Sequence, residues 1–297
     1  MAGGQERILR QRIRSVNNTR KITKAMELIA ASQIGRSQAR IVANRLYRDG
    51  MRRIILEAAL GDPAGAKSLL AEPERVTTAV VVVIAGDRGL SGAYNSSVLR
   101  AGERLVAQLR TQGTVVRLIA VGKKAPGFFR FRGVEVTASF TGFSDRPTFA
   151  DAREVAAAAA APFIDGEAQE VVLVSTAFLS AATQSVTTRR LLPLTVPEVA
   201  PVSEPTGLKG YTEFEPEVEK LLTFLAPRAL ESEIFTALLE GAASFHTSQQ
   251  RAMAAASDNA DELGLTLTRI MNRARQDSIT TEIMEIVGGA EALRSRK

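Results

Sequence analysis

The stretch Leu9–Ile29, LRQRIRSVNNTRKITKAMELI, decides how this chain is read. Leu9, Ile13 and Val16 recur at spacings of four and three, and so do Ile22, Met26 and Ile29. That spacing draws a narrow apolar stripe along one side of a helix, the kind by which one helix lies along another. The polar run Asn17–Lys21 offsets the two trios, so the stripe reads as interrupted. Residues 1–62 contain no proline and are rich in Arg, Ala, Leu and Gln, all strong helix formers. One helix over about residues 4–58 is expected, roughly 80 Å long if unbroken. Gly35 and Gly50 are the expected weak points.

The far end mirrors the first. In Leu263–Ala290, LGLTLTRIMNRARQDSITTEIMEIVGGA, the residues Leu263, Leu267, Ile270 and Ala274 follow 4,3,4 spacing. Ile279, Ile283, Ile286 and Ala290 do the same, and Gly288–Gly289 reads as the helix stop. Helices this long are too weak locally to stand alone. The terminal segments, residues 1–60 and 217–290, are therefore expected to pair as an antiparallel coiled coil.

The middle has another character. Thr77–Ala85 (TTAVVVVIA) is a continuous β-branched run, the mark of a strand buried on both faces. Val115–Val121 and Glu170–Ser175 look alike, Glu135–Phe140 is weaker, and Pro193 limits the pairing of Val186–Leu194. Ser96–Gln112 and Phe149–Phe163 read as helices. The order strand, helix, strand, strand, helix, strand predicts an α/β sheet domain of Rossmann-like layout over about 75–200. Pro201–Pro216 reads as a loop or linker.

Composition removes several kinds of chemistry. The 297 residues include no Cys, which excludes disulfides, thiolate metal sites and cysteine nucleophiles, and only one His, which excludes a multi-histidine metal site. No run approaches the 18 or so apolar residues of a membrane span. The start, MAGGQERILR, lacks an apolar signal core, so the chain is expected to stay in the compartment where it is made. Residues 1–60 carry 13 Lys/Arg against 4 Asp/Glu, whereas the whole chain is only +6. The basic character therefore belongs to the first helix. It is a solvated face, a nucleic-acid surface or a shaft meeting acidic partners, and composition does not separate the last two.

After the first strand comes Gly86-Asp87-Arg88-Gly89-Leu90-Ser91-Gly92-Ala93-Tyr94-Asn95. Strand, glycines, then helix is a layout that cradles phosphate, but G-x-x-G-x-x-G is neither the dinucleotide fingerprint nor a Walker A sequence. A structural turn is the favoured reading, with nucleotide binding as the alternative. Ser91 is not in a nucleophile elbow, and only His246, read as a surface or packing residue, could serve it. No catalytic residue, cofactor or metal is expected in this chain.

Three of these segments resemble one family. Arg12-Ile13-Arg14-Ser15-Val16, Lys21-Ile22-Thr23-Lys24-Ala25-Met26-Glu27 and Ala30-Ala31-Ser32 are similar to the N-terminal helix of the ATP synthase gamma subunit. Asp87-Arg88-Gly89-Leu90, with Gly92 and Asn95, resembles that family's turn. Ser257-Asp258-Asn259-Ala260, Asn272-Arg273-Ala274-Arg275-Gln276, Ile279-Thr280-Thr281-Glu282-Ile283 and Glu285–Ala290 resemble its C-terminal helix. The resemblance implies a rotor shaft inside a ring of alternating alpha and beta subunits. The sheet domain would lie by the epsilon subunit and the membrane ring of c subunits. The complex would lie peripherally on the cytoplasmic face of a bacterial membrane. Proton flow would turn the shaft, and the catalytic sites would belong to the beta subunits.

Residue by residue, the resemblance makes Met26, Lys21 and Lys24 contacts to an acidic beta-subunit loop, and Gln276 and Thr280 contacts to other beta-subunit loops. Packing within the coiled coil is an equal alternative for Met26. Asp87, Arg88, Gly89 and Gly92 form the structural turn. The chain departs from the family at Gln33–Arg36 and at Phe245, Gln249 and Gln250. The other readings kept open are an α/β enzyme holding a nucleotide at residues 86–95 and a basic-helix nucleic-acid-binding protein.

Overall fold

The computed structural model of the chain describes residues 2–61, 73–193, 215 and 217–294. The linker expected over Pro201–Pro216 lies outside these residues except for Glu215. In chain order the elements are α1 (Ala2–Gly61), β1 (Thr78–Ile84), α2 (Tyr94–Thr111), β2 (Val115–Val121) and α3 (Lys124–Phe131). Then come β3 (Val136–Phe140), α4 (Phe149–Ile164), β4 (Glu170–Phe178), β5 (Gln184–Leu192) and α5 (Val218–Arg294). The strands form one sheet of order β3-β2-β1-β4-β5, with β1 to β4 parallel and β5 antiparallel to β4.

Every residue of β1 after Thr78 is buried because helices cover both of its faces. Val80, Val82 and Ile84 meet Ala152, Val155, Ala156 and Ala159 of α4, and also Leu230, Ile234, Ala237 and Leu238 of α5. The alternate residues Ala79, Val81 and Val83 meet Val98, Leu99, Val106 and Leu109 of α2, with Ala125 and Phe129 of α3. Gly102 lets α2 approach the sheet, since a Cβ there would come within 2.9 Å of Val83. A capping box opens α4: the Thr148 hydroxyl accepts from the Asp151 N–H, and the Asp151 carboxylate accepts from the Thr148 N–H.

Helix α3 is absent from the sequence reading, which passed directly from β2 to β3. Pro126 and Gly127 hide it, but Pro126 lies in the first turn, where its missing N–H costs little.

The chain divides into two compact units, residues 31–249 and residues 1–30 with 250–297. In the larger unit, α1 is held to α5 by Asn44 Nδ2 donating to Thr236 Oγ1 (2.8 Å) and by the Arg52–Glu233 ion pair (2.6 Å). Met51, Ile55 and Ala58 pack there with Leu222 and Ala229. In the smaller unit, Thr23 lies 2.7 Å from Ser257 and Arg20 pairs with Asp261 at 2.8 Å, while a Cβ on Gly264 would face Val16 and Asn17. The numbers rise along α1 as they fall along α5, so the helices are antiparallel.

The seam of this pair differs from the expected one. On α1 it runs through Leu9, Ile13, Val16, Thr23 and Ala30 in one unbroken seven-residue phase, with Ile22 and Ile29 turned outward at 60% and 61% exposure. On α5 it runs through Met253, Ser257, Ala260, Gly264, Leu267, Met271, Ala274 and Ser278, and Leu263 and Ile270 stay exposed. The sequence reading followed large apolar side chains. Close packing follows the small ones, which let the backbones approach. Past Ser278, residues 279–290 are all exposed.

One further expectation is corrected. Helix α5 does not stop at Gly288–Gly289, because neither glycine takes the positive φ of a helix-ending turn, and it continues to Arg294. Helix α1 runs continuously through Gly35 and Gly50.

Ala30→Leu is expected to destabilise the chain by about 1–3 kcal/mol, while Ile29→Ala costs under about 0.5 kcal/mol, both read by urea unfolding followed through helical circular dichroism. Equal effects would return the seam to Ile29. Nothing lies within 4 Å of a Cβ added at Gly35. Gly35→Ala should therefore raise stability by about 0.5–1 kcal/mol in the same experiment.

Candidate functional site

Two places carry the residues singled out by sequence: the turn after β1 and the paired helices of the smaller unit. In the turn, the Asp87 carboxylate accepts from the N–H groups of Lys123 (2.9 Å), Gly142 (3.0 Å) and Ser144 (3.0 Å). These donors follow the carboxyl ends of β2 and β3. The Asp87 N–H in turn donates to the Ser144 hydroxyl at 2.7 Å. Burial pushes the Asp87 carboxyl up, but the backbone donors of Gly142, Ser144 and Lys123, with the Ser144 hydroxyl, outweigh it and hold the group below its ordinary value.

Asn95 closes the same turn from the start of α2. Its Oδ1 accepts from the Gly86 N–H (2.8 Å) and its Nδ2 donates to the Arg88 carbonyl (2.9 Å). Leu90 takes φ 60° and Gly92 φ 55°, which bends the chain sharply between strand and helix. A Cβ at Gly122 would strike the Ala85 carbonyl oxygen at 2.3 Å, so the β1 and β2 ends approach too closely for any side chain there. The Asp87 carboxylate thus sits at this turn bound to donors from the loops after β2 and β3, and its charge repels a phosphate. The geometry of this turn is that of a clasp joining three strand ends.

Beside it, Arg88 Nε pairs with Asp145 at 3.0 Å. Tyr94, Phe245 and His246 are buried together, with Phe245 edge-on to Tyr94 (5.6 Å) and to His246 (5.5 Å). The family departure at Phe245 is therefore a packing residue. Burial lowers the His246 pKa below 6.5, against the attraction of Asp145 and a hydrogen bond to its backbone. Sequence reading missed Lys123, Gly142, Ser144 and Asp145. Only the glycine and acidic residue within Thr141–Pro147 hinted at them.

On the paired helices, Met26 is half-buried, while Lys21, Lys24, Gln276 and Thr280 are exposed. Lys24 reaches back to Glu27 at 3.0 Å. Among the described residues no cluster of three His, Asp or Glu side chains could hold a metal ion, and no helix is long and apolar enough to cross a membrane.

An antiparallel helix pair in one unit and a five-stranded α/β sheet in the other make this an α/β protein with long terminal helices. The ATP synthase family model matches residues 5–293. The ATP synthase gamma chain of Parafrankia sp. (strain EAN1pec) is 46% identical over 296 residues, covering 98% of this chain and 99% of that one. That of Leifsonia xyli subsp. xyli is 44% identical over 297 residues, covering 99% of each. Among solved structures, a chain of the Euglena gracilis mitochondrial ATP synthase aligns with a TM-score of 0.66 at 17% identity, covering 99% of this chain and 96% of that one. A chain of the Tetrahymena thermophila mitochondrial ATP synthase central stalk and c-ring aligns at 0.62 and 23% identity, covering 80% and 99%. The chain belongs to the ATP synthase gamma chain family, the central stalk of the rotary enzyme.

Asp87→Asn should cost about 1–3 kcal/mol in urea unfolding, because the amide offers one acceptor oxygen where the carboxylate offers two. His246, the single histidine, should titrate below 6.5 in a histidine-resolved NMR titration. The unfolded chain then binds more protons than the folded one. This contribution to stability is full above the unfolded pKa and is lost as pH falls through the depressed folded value. A midpoint above 6.5 would contradict the burial argument.

Proposed function

We propose that this chain is the non-catalytic rotor shaft that couples proton flow through a membrane ring of c subunits to conformational cycling of catalytic beta subunits. The observation that carries the reading is the outward face of the helix pair. Ile8, Ile22, Leu28 and Ile29 on α1, and Leu263, Leu265 and Ile270 on α5, are exposed in the chain alone. Soluble proteins rarely leave so many large apolar side chains in water unless another protein covers them. A sleeve of alternating alpha and beta subunits suits this surface.

The working division is residues 1–60 and 217–290 as shaft and 75–200 as the α/β domain, which meets the epsilon subunit and the c ring. Met26, Lys21 and Lys24 meet an acidic beta-subunit loop, and Gln276 and Thr280, both exposed on α5, meet other loops. An asymmetric shaft touches each beta subunit differently, so each orientation biases a different open or closed state. The complex works peripherally on the cytoplasmic face of a bacterial membrane. Nucleotide stays in the ring, and nucleic acid is not a partner.

Affinity-tagged chain isolated from its own cells should bring down alpha and beta subunits together, and their absence would sink the proposal. Deleting α5 from Gln276 onward should lower coupled ATP synthesis several-fold while residues 31–249 keep their protease resistance. Unchanged synthesis and proton pumping in that variant would remove the assigned role of Gln276 and Thr280.

A further inference from the structure

Within residues 31–249, the contact between β5 and α5 holds an unevenly paired set of charges. Arg189 of β5 stands opposite Leu173 of β4, so its side chain shares that residue's face of the sheet, the face that α5 covers. Its Nη1 lies 3.4 Å from Glu233 of α5. Its Nε and Nη2, the edge with which a guanidinium grips a carboxylate side-on, are buried with no acceptor. Glu233 is held more closely by Arg52 of α1, at 2.6 Å. Two turns farther along the same face of α5 stands Glu240, half-buried and without an ion pair among the described residues. Arg48, the other cation near it, is paired with Asp49 at 2.8 Å. Burial pushes the Glu240 carboxyl up, and Glu233 adds to that. Arg189 is the strongest of the charges pulling it back, ahead of Arg48, and a hydrogen bond from the Phe178 backbone acts the same way.

We propose that Arg189 is a two-position clamp, bound to Glu233 in the arrangement seen and swinging its unpaired edge onto Glu240 in a second one. Buried N–H donors without an acceptor are costly, and here two of them belong to one guanidinium. On Glu240 both would be satisfied by a single carboxylate in the side-on geometry that arginine favours. Glu233 keeps Arg52 when Arg189 leaves it, so the exchange strands no carboxylate. Against the swing stand the lost Glu233 contact and the freedom given up by the Glu240 side chain, which hold the two arrangements close in energy. A packed contact with two discrete arrangements switches between them and does not deform continuously. In either position β5 stays tied to α5, at Glu233 or two turns farther along. The long helix can therefore shift against the edge strand without leaving a buried charge alone. This device belongs to the chain itself and stands independently of the central-stalk reading.

The test uses the full chain, unfolded in urea and followed by helical circular dichroism. In a double-mutant cycle of Arg189→Gln and Glu240→Gln, the unfolding constant of the double variant should be about fivefold smaller than the two single effects multiplied together. The cycle of Arg189→Gln and Glu233→Gln should show coupling of the same order. Repeated in a Glu233→Gln background, the Arg189–Glu240 coupling should grow by about twofold or more, because the competing carboxylate is gone. The Glu240→Gln side chain retains an acceptor for the Phe178 backbone, so this variant keeps its fold. In an arginine-resolved NMR spectrum of the wild-type chain, the Arg189 Nε–H, assigned by its loss in Arg189→Lys, should be broadened by exchange and should sharpen in Glu240→Gln. Coupling to Glu240 below about twofold, or a sharp Nε–H signal that Glu240→Gln leaves in place, would overturn the inference.

Discussion

The closeness of α1 and α5 in residues 1–30 and 250–297 governs what the chain presents to its surroundings. Helix separation is set by the side chains at the contact, and here those are Thr23, Ala30, Ser257, Ala260 and Gly264. The buried hydroxyls of Thr23 and Ser257 lie 2.7 Å apart, with the Arg20 and Met253 carbonyls as further acceptors, so the register has a polar pin with no group left unsatisfied. Small residues inside leave the large ones outside. A thin pair with an apolar exterior is unfavourable for a free protein and suitable for an enclosed one.

In residues 31–249 a different economy holds. The sheet face formed by Val80, Val82 and Ile84 is closed partly by α4, whose contacts are mostly alanine, and partly by Leu230, Ile234 and Leu238 of α5. The long helix is therefore one layer of the α/β core. Removing it would uncover the central strand as well as the seam of the pair. Within residues 31–249 the Arg52–Glu233 and Asn44–Thr236 contacts tie α1 to the same layer.

The turn at Gly86–Asn95 shows how a phosphate-like layout becomes a structural clasp. Glycines after a strand allow close backbone approach, but the charge placed among the donors decides what binds there. With Asp87 bound to Lys123, Gly142 and Ser144, the donors are satisfied from within, and the strand ends are locked together. The buried ring cluster of Tyr94, Phe245 and His246 backs this clasp from α5.

The sequence by itself determined the two long helices, the buried parallel strands and the family, because β-branched runs, proline-free segments and the Asp87–Leu90 turn are local signals. It also placed the positive charge on the first helix. The tertiary structure decided which helix face is inside, since Ile22 and Thr23 are adjacent and only a partner helix distinguishes them. It decided that α5 runs through Gly288 and Gly289, and that α3 forms despite Pro126. It also decided that Asp87 closes the turn, because its donors come from residues some 36 to 57 positions later in the chain. Local pattern specifies an element. Which side chains that element buries depends on the size and hydrogen bonding of what packs against it, and those neighbours are distant in sequence.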